Sequence, residues 1–508
     1  MADVFQVHCP SFQAIVIATR AEVVRRPAKE PTTLTTDSRG IPADSCFVAL
    51  QGEQFDGHAF ITAAANAGAA MAIVQTIPSD EILAALPAGF GILRVKCTRV
   101  ALGLIAHAWR CSLRQLRVVA VTGSAGKTTT RRLLEGILAQ AGVTHASPKS
   151  FNNDVGVPLT LLSTPNDAAY LVAEIGMNHP GEIVPLAQMV EPEVAIITLA
   201  GRAHLEGLGS VEAVAAEKAS ILAGVSPSGV AIINGDNPPL LNAVARRVET
   251  GDAPDRVILF GLSASCDYRL MGRTPVVLLA SDQQIDGQEI DVKLPHHAVV
   301  NGDDDDVVGG GDRRRRFTLK MSGEHNARNA LAAIAAAYEM GISEDAIRTG
   351  LAQVVATEMR LERLMIAQRT VYNDAYNANP DAMIASLKAF AEITTHAPRR
   401  VVVLGEMREL GPDARALHQE VGTHAARALQ PTDALVAVGP HASALVEAAK
   451  NAGFTGQTRC SELFTEAFAL DTSSLAPIGT AILLKGSRGA RMERFLAPLT
   501  QAFDVASG

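Results

Sequence analysis

Aromatic residues are scarce in this 508-residue sequence: Phe, Trp and Tyr make up 4%, with a single tryptophan, against 48% apolar residues overall. Such a composition, rich in Ala, Val and Leu, suits an α/β protein with parallel, doubly covered strands. A basic excess is also lacking. Lys and Arg number 45 against 53 Asp and Glu, a net charge of −8, so there is no electrostatic footprint for nucleic acid. No apolar run approaches 18 residues without charged or turn residues, which argues against a membrane span, and Met1–Pro10 is too polar for a signal peptide. The six cysteines (Cys9, Cys46, Cys97, Cys111, Cys266, Cys460) show neither C-x-x-C nor paired spacing, as expected of reduced thiols in a cytoplasmic enzyme. The G-x-G-x-x-G dinucleotide fingerprint is missing too.

What is present is a phosphate cradle. Val118–Val121 reads as a buried strand that enters Thr122-Gly123-Ser124-Ala125-Gly126-Lys127-Thr128-Thr129. A helical pattern (Arg131, Leu133, Leu134, Ile137, Leu138) follows and is stopped at Gly142. Gly123, Ser124, Ala125, Gly126, Lys127, Thr128 and Thr129 would wrap an anion with backbone N–H groups and a positive helix end. Lys127 adds a point charge, and the Thr128 hydroxyl can hold Mg²⁺. A nucleoside triphosphate is the expected ligand. The common P-loop has a glycine where Val121 stands, so this is a shorter variant.

The length predicts about three domains. Residues 1–113 read as a small binding module without a catalytic constellation. Residues 114–356 carry the cradle and strands at Tyr170–Glu174, Val194–Leu199, Val230–Asn234 and Val257–Phe260. Residues 357–508 repeat the strand–helix alternation at Val371–Asp374, Arg400–Leu404, Ala434–Val438 and Ala481–Leu484, a Rossmann-like second α/β unit. The segment Asn301–Arg316, with four Asp, three Gly and four Arg in runs, reads as a solvated mobile loop of offsetting charges.

Ligands of parallel sheets sit at strand carboxyl ends. Glu174, closing its strand, can therefore face the cradle and bind Mg²⁺; a surface Glu before a turn is the plain alternative. His204 follows the strand Val194–Leu199 and suits a second Mg²⁺, although an isolated His is often structural. Lys218 sits in an Ala-rich helix where exposed lysines are ordinary. Asn326 opens another Ala-rich helix, as a common helix-start residue does. Arg360 and Asp374, near the start of the third region, could reach a triphosphate and couple domain closure to catalysis.

In order along the chain, Thr36–Arg39, Phe55–His58, the P-loop, Asn152–Thr160, Glu174–Gly181, Ala203–Gly207, His325–Asn329, Asp374–Pro380, Gly405–Gly411 and Lys485–Arg488 resemble the ATP-dependent Mur ligases of bacterial cell-wall synthesis. The resemblance covers nearly the whole chain and implies the three-domain architecture of that family, with a P-loop ATPase centre and a Rossmann-like C-terminal domain. It further implies a ligase joining D-alanyl-D-alanine to UDP-N-acetylmuramoyl-tripeptide through an acyl phosphate. The His-Leu-Asp-Tyr and Asp-Asn-Pro-Arg stretches of the neighbouring, amino-acid-adding member are absent. That member's activity, and a nucleotide-binding paralogue without turnover, are the alternatives. On the same resemblance Thr128, Glu174 and His204 are metal ligands for two Mg²⁺, and Asn326, Arg360 and Asp374 contact ATP. Lys218 becomes a carbamate, contrary to its unremarkable setting. Ser38, Arg39, Asn152, Asn153, Tyr376 and Asn377 fall to the substrates, and a monomer is expected. In two places the chain departs from the family: Met359 precedes Arg360 where many relatives have Gly, and the charged run at 301–316 has no counterpart.

Overall fold

The structure is a computed structural model and describes residues 7–52, 55–148, 150–280, 283–298, 313–356 and 358–505. Three sheets organise them. Five strands lie in the order 22–25, 91–94, 71–74, 45–48, 33–35, parallel except at the edge strand Glu22–Arg25. The Thr98–Ser112 helix leads from this sheet into the second.

The second sheet has nine strands. Its first strand, Arg117–Thr122, is flanked by Tyr170–Glu174 on one side and Val194–Ile197 on the other, both parallel to it. The chain fills one side first (144–146 and 170–174) and then the other (194–197, 230–234, 256–261). Arg117–Thr122 is therefore the topological switch point, and a crevice opens beyond its carboxyl end. Val118–Val121 are wholly buried, which explains the unbroken apolar run.

The sheet does not end as a parallel one. Tyr268–Ala280 and Gln283–Lys293 form a long antiparallel hairpin, and Arg314–Leu319 pairs with its second strand. This corrects the loop reading of the charged segment at its C-terminal end; Asn301–Asp312 lie outside the described residues. Arg314, Arg315 and Arg316 are strand residues. Arg316 pairs outward with Asp291 at 2.7 Å, while Arg315 is buried and bonds Glu344 at 3.1 Å. A buried cation is tolerated in a strand only with such a partner. Arg315→Ala should therefore cost about 2 kcal/mol, the scale of a hydrogen bond to a charged group. The moderate size reflects Glu344 keeping Arg348 at 2.6 Å and Tyr338 at 3.1 Å. Urea unfolding would show it as a lowered midpoint.

The third sheet, in the order 362–366, 369–374, 481–485, 400–404, 434–438, 457–461, is parallel apart from its first strand. The hairpin of the second sheet reaches it: Asp286 accepts from Tyr372 Oη at 2.7 Å, and Arg273 meets Glu392 at 3.2 Å. A second clasp is Arg202, which bonds Asp381 at 2.7 Å and Glu420 at 2.5 Å. These ties bring the carboxyl edges of the two larger sheets together.

Candidate active site

Between those edges lies a cavity of about 410 Å³ lined by both sheets' loops. One wall is the glycine turn. Gly123 (φ 152°) and Gly126 (φ 87°) hold backbone that other residues rarely adopt, and a Cβ at either would strike Thr198 Oγ1 or Asn329 Oδ1. The Lys127–Leu138 helix starts at Gly126, so its free N–H groups face the cavity. Lys127 donates from Nζ to Gly123 O at 2.7 Å, and burial lowers its pKa.

Glu174 stands at the end of its strand, 1% exposed. It accepts from Thr128 Oγ1 at 2.9 Å and from Asn152 Nδ2 at 3.0 Å, with Arg131 Nε 3.9 Å away. Lys218 is completely buried, and its Nζ has no hydrogen-bond partner. Burial, followed by repulsion from Lys127, drives its pKa well below that of a free lysine, against the pull of Glu217, Glu174 and Glu182. An exposed helix lysine was the plain expectation; the structure shows an orphaned amine instead. His204, at φ 58°, turns Nδ1 to Glu409 Oε2 at 2.8 Å, a residue of the third region. Asn326 lines the cavity and donates from Nδ2 to Ser322 O at 2.7 Å.

The opposite wall comes from the third sheet. Asp374 and Lys485 are register neighbours on adjacent parallel strands, and their side chains pair at 2.7 Å. Leu361 N and Ser386 Oγ also donate to Asp374. Arg360 reaches across to Thr128 Oγ1 at 3.2 Å and stacks 4.2 Å above the Tyr376 ring. Tyr376 in turn bonds Ser150. Met359 and Leu361, on either side of Arg360, have φ of 57° and 52°. Glycine enters that region without strain, and here two larger side chains occupy it to aim Arg360 inward.

Lys127, Thr128, Glu174, His204, Asn326, Arg360, Asp374, Asn152, Asn153, Tyr376 and Asn377 thus share one cavity. Lys218, wholly buried, is not part of its lining, and neither are Ser38 and Arg39. They occupy the loop after Thr33–Thr35, where exposed Arg39 forks onto Asp37 at 2.9 and 2.7 Å. Lys485, Ser386, Glu409 and Arg202 were not singled out from sequence. Lys485 had a signal, since it closes a buried strand as Glu174 does. Ser386 stands 12 positions past its partner Asp374, on the next helix, whereas Arg202 depends on contacts across 179 and 218 positions and Glu409 on a comparable separation from His204.

A glycine cradle at the switch point, a carboxylate beside its Thr, and an Arg and Asp brought in by a second α/β unit define a P-loop nucleotide-binding protein whose site is completed by domain apposition. The comparisons agree. The Mur ligase middle domain matches residues 121–337, the glutamate ligase domain of Mur ligases matches 359–488, and the family's catalytic domain matches 30–110. The chain belongs to the Mur ligase family. It is 35% identical to the UDP-N-acetylmuramoyl-tripeptide--D-alanyl-D-alanine ligase of Escherichia coli, over 92% of this chain and 93% of that one. The like-named Bacillus subtilis protein is 30% identical over 95% and 97%. A crystal structure of MurF from Acinetobacter baumannii superposes with a TM-score of 0.80 at 30% identity, covering 97% of this chain and 100% of that one. A diaminopimelate-adding ligase shares the fold alone, at 18% identity and a TM-score of 0.52.

Proposed function

We propose that this chain is an ATP-dependent ligase that joins D-alanyl-D-alanine to UDP-N-acetylmuramoyl-tripeptide, making the UDP-muramoyl-pentapeptide precursor of peptidoglycan. The observation that carries the reading is a P-loop cavity completed by Arg360, Asp374 and Lys485, in a chain 35% identical over 92% of its length to a relative so named. Nothing favours the amino-acid-adding alternative or a paralogue without turnover.

An unreactive carboxylate must first be activated. The tripeptide's terminal carboxylate takes the γ-phosphoryl group of ATP, giving an acyl phosphate and ADP. The dipeptide amine attacks the acyl carbon, the tetrahedral adduct expels phosphate, and the amine proton passes to solvent. Two anions meet in the first step, so the site must supply positive charge and exclude water. Lys127 and the helix N-terminus do so from one wall, and Arg360 from the other, held flat on Tyr376. Asn326 and Asp374 hold the nucleotide, and the Arg202 clasp keeps both walls in register.

Mg²⁺ fits the donor set. Thr128 Oγ1 and Glu174 offer oxygens for one ion. His204 offers a ring nitrogen for a second, and Lys218 would complete that site as a carbamate. The orphaned Nζ supports this: a buried amine held neutral can add to CO₂ and release a proton, whereas an ammonium offers donors only. Bound Mg²⁺ would neutralise charge on the phosphate oxygens.

Residues 1–113, with Ser38 and Arg39, would hold the UDP end, residues 114–356 ATP, and residues 357–508, with Tyr376 and Asn377, the dipeptide; Asn152 and Asn153 would face the tripeptide. No helix among the described residues is long and apolar enough to cross a membrane.

Phosphate release from ATP should require both UDP-N-acetylmuramoyl-tripeptide and D-alanyl-D-alanine. L-Alanyl-L-alanine should support turnover reduced by on the order of 100-fold or more, because inverted centres misplace the amine against fixed partners. Equal rates with both dipeptides, or nucleotide binding without release, would overturn the reading.

A further inference from the structure

We propose that His107, Cys111 and Glu191 bind one zinc ion at the junction of the first and second sheets, apart from the ATP cavity. Among the described residues they are the one group of three His, Cys, Asp or Glu side chains whose ligand atoms all lie within 4.8 Å of one another.

His107 and Cys111 are one turn apart on the Thr98–Ser112 helix, so their side chains share a face. Glu191 comes from a different element, the C-cap of the Ile183–Val190 helix. It stands at φ 44°, a position that glycine usually fills, and from there its carboxylate meets His107. His107 Nδ1 lies 3.1 Å from Met189 O, a contact that makes Nδ1 the protonated nitrogen and leaves the Nε2 lone pair outward. Nε2 is 3.5 Å from Cys111 Sγ and 3.9 Å from Glu191 Oε1. Donors of a tetrahedral zinc sphere are separated by about 3.3–3.8 Å, given Zn–N near 2.0 Å and Zn–S near 2.3 Å. Small side-chain rotations therefore suffice. His107 is part-exposed and both other ligands are exposed, which leaves the fourth position to water.

Nitrogen, sulfur and carboxylate together select zinc or cobalt over magnesium, which takes oxygens. On binding, the Cys111 thiol gives its proton to solvent, and thiolate plus carboxylate balance the dication. The neighbouring Arg110 guanidinium is held by Val190 O at 3.1 Å and Glu191 O at 3.4 Å, on main-chain rather than ligand atoms. A metal here would pin the last helix of the first domain to the ATP-binding domain.

Equilibrium dialysis against zinc in excess Mg²⁺ tests this on the full chain. The unmodified protein should retain one zinc per chain more than Cys111→Ser, and zinc should raise its thermal midpoint but not that of Cys111→Ser or His107→Gln. Glu191→Gln should weaken binding by at least about 10-fold. Cobalt should give a thiolate charge-transfer absorption that is lost in Cys111→Ser and kept in Cys460→Ser, the other exposed cysteine. Equal zinc content in the unmodified protein and a folded Cys111→Ser, or a cobalt–thiolate band that survives that substitution, would overturn the proposal.

Discussion

Lys127→Ala is expected to lower turnover by on the order of 1000-fold, at the upper end of what removing one preorganised charge-stabilising donor costs. The ammonium lies inside the glycine turn, 2.7 Å from Gly123 O, and its work is to meet charge that builds as two anions approach. The loss should fall mainly on kcat, since a donor needed most in the transition state contributes less to ground-state binding. Stability should change little. The variant gives up one hydrogen bond to a backbone carbonyl, worth about 1 kcal/mol, and in exchange no longer buries a cation that its surroundings disfavour. Steady-state phosphate release alongside thermal unfolding separates the two effects. A folded Lys127→Ala with an unchanged rate would remove the P-loop from the mechanism.

Much of this centre is legible in the sequence. Val118–Val121 is buried on both faces, so its apolar run announces a strand, and the glycines after it announce the turn that only they can make. Glu174 and Asp374 could be placed because each closes a strand, and parallel sheets put their ligands at that edge. What stayed hidden was whatever depends on distant partners. Four arginines in a row look solvated until Glu344 and Asp291 are set beside them. The alternation of Arg314–Leu319, with Arg315, Phe317 and Leu319 inward, is masked when the inward residue is itself charged. Arg202 and Asp381 meet only through the apposition of two sheets, and nothing local marks them; Glu409 lies in the Gly405–Gly411 stretch, yet only the same apposition sets it beside His204. Lys218 is the sharpest case. Its helix, Val211–Ala219, is Ala-rich and weakly patterned, so sequence gives no inward face, yet the residue is wholly buried.

That burial makes Lys218 the most demanding position to test. An amine without a partner costs the fold on the order of 1–3 kcal/mol, the penalty of an unsatisfied buried polar group. Lys218→Met, apolar and of similar length, should therefore leave stability unchanged or raise it, while activity falls by at least about 100-fold. A structural role would give the opposite pair of results. The pH dependence carries the same signature. With its pKa held down by burial, the folded lysine binds fewer protons than the unfolded one, so in CO₂-free buffer its destabilising effect grows as pH falls from about 10.4 toward the folded value. Lys218→Met should lose that component of the urea midpoint's pH profile. Carbamylation removes the conflict by turning the amine into an anion with two oxygens within electrostatic reach of Lys127. Lys218→Ala should be equally inactive but partly restored by formate or acetate, which can bring a carboxylate into the vacated space. Lys218→Arg should stay inactive because guanidinium cannot carry the modification. Full activity in Lys218→Arg, or Lys218→Ala activity indifferent to carboxylic acids together with a strongly destabilised Lys218→Met, would show that the residue serves packing and that the second metal site is made without it.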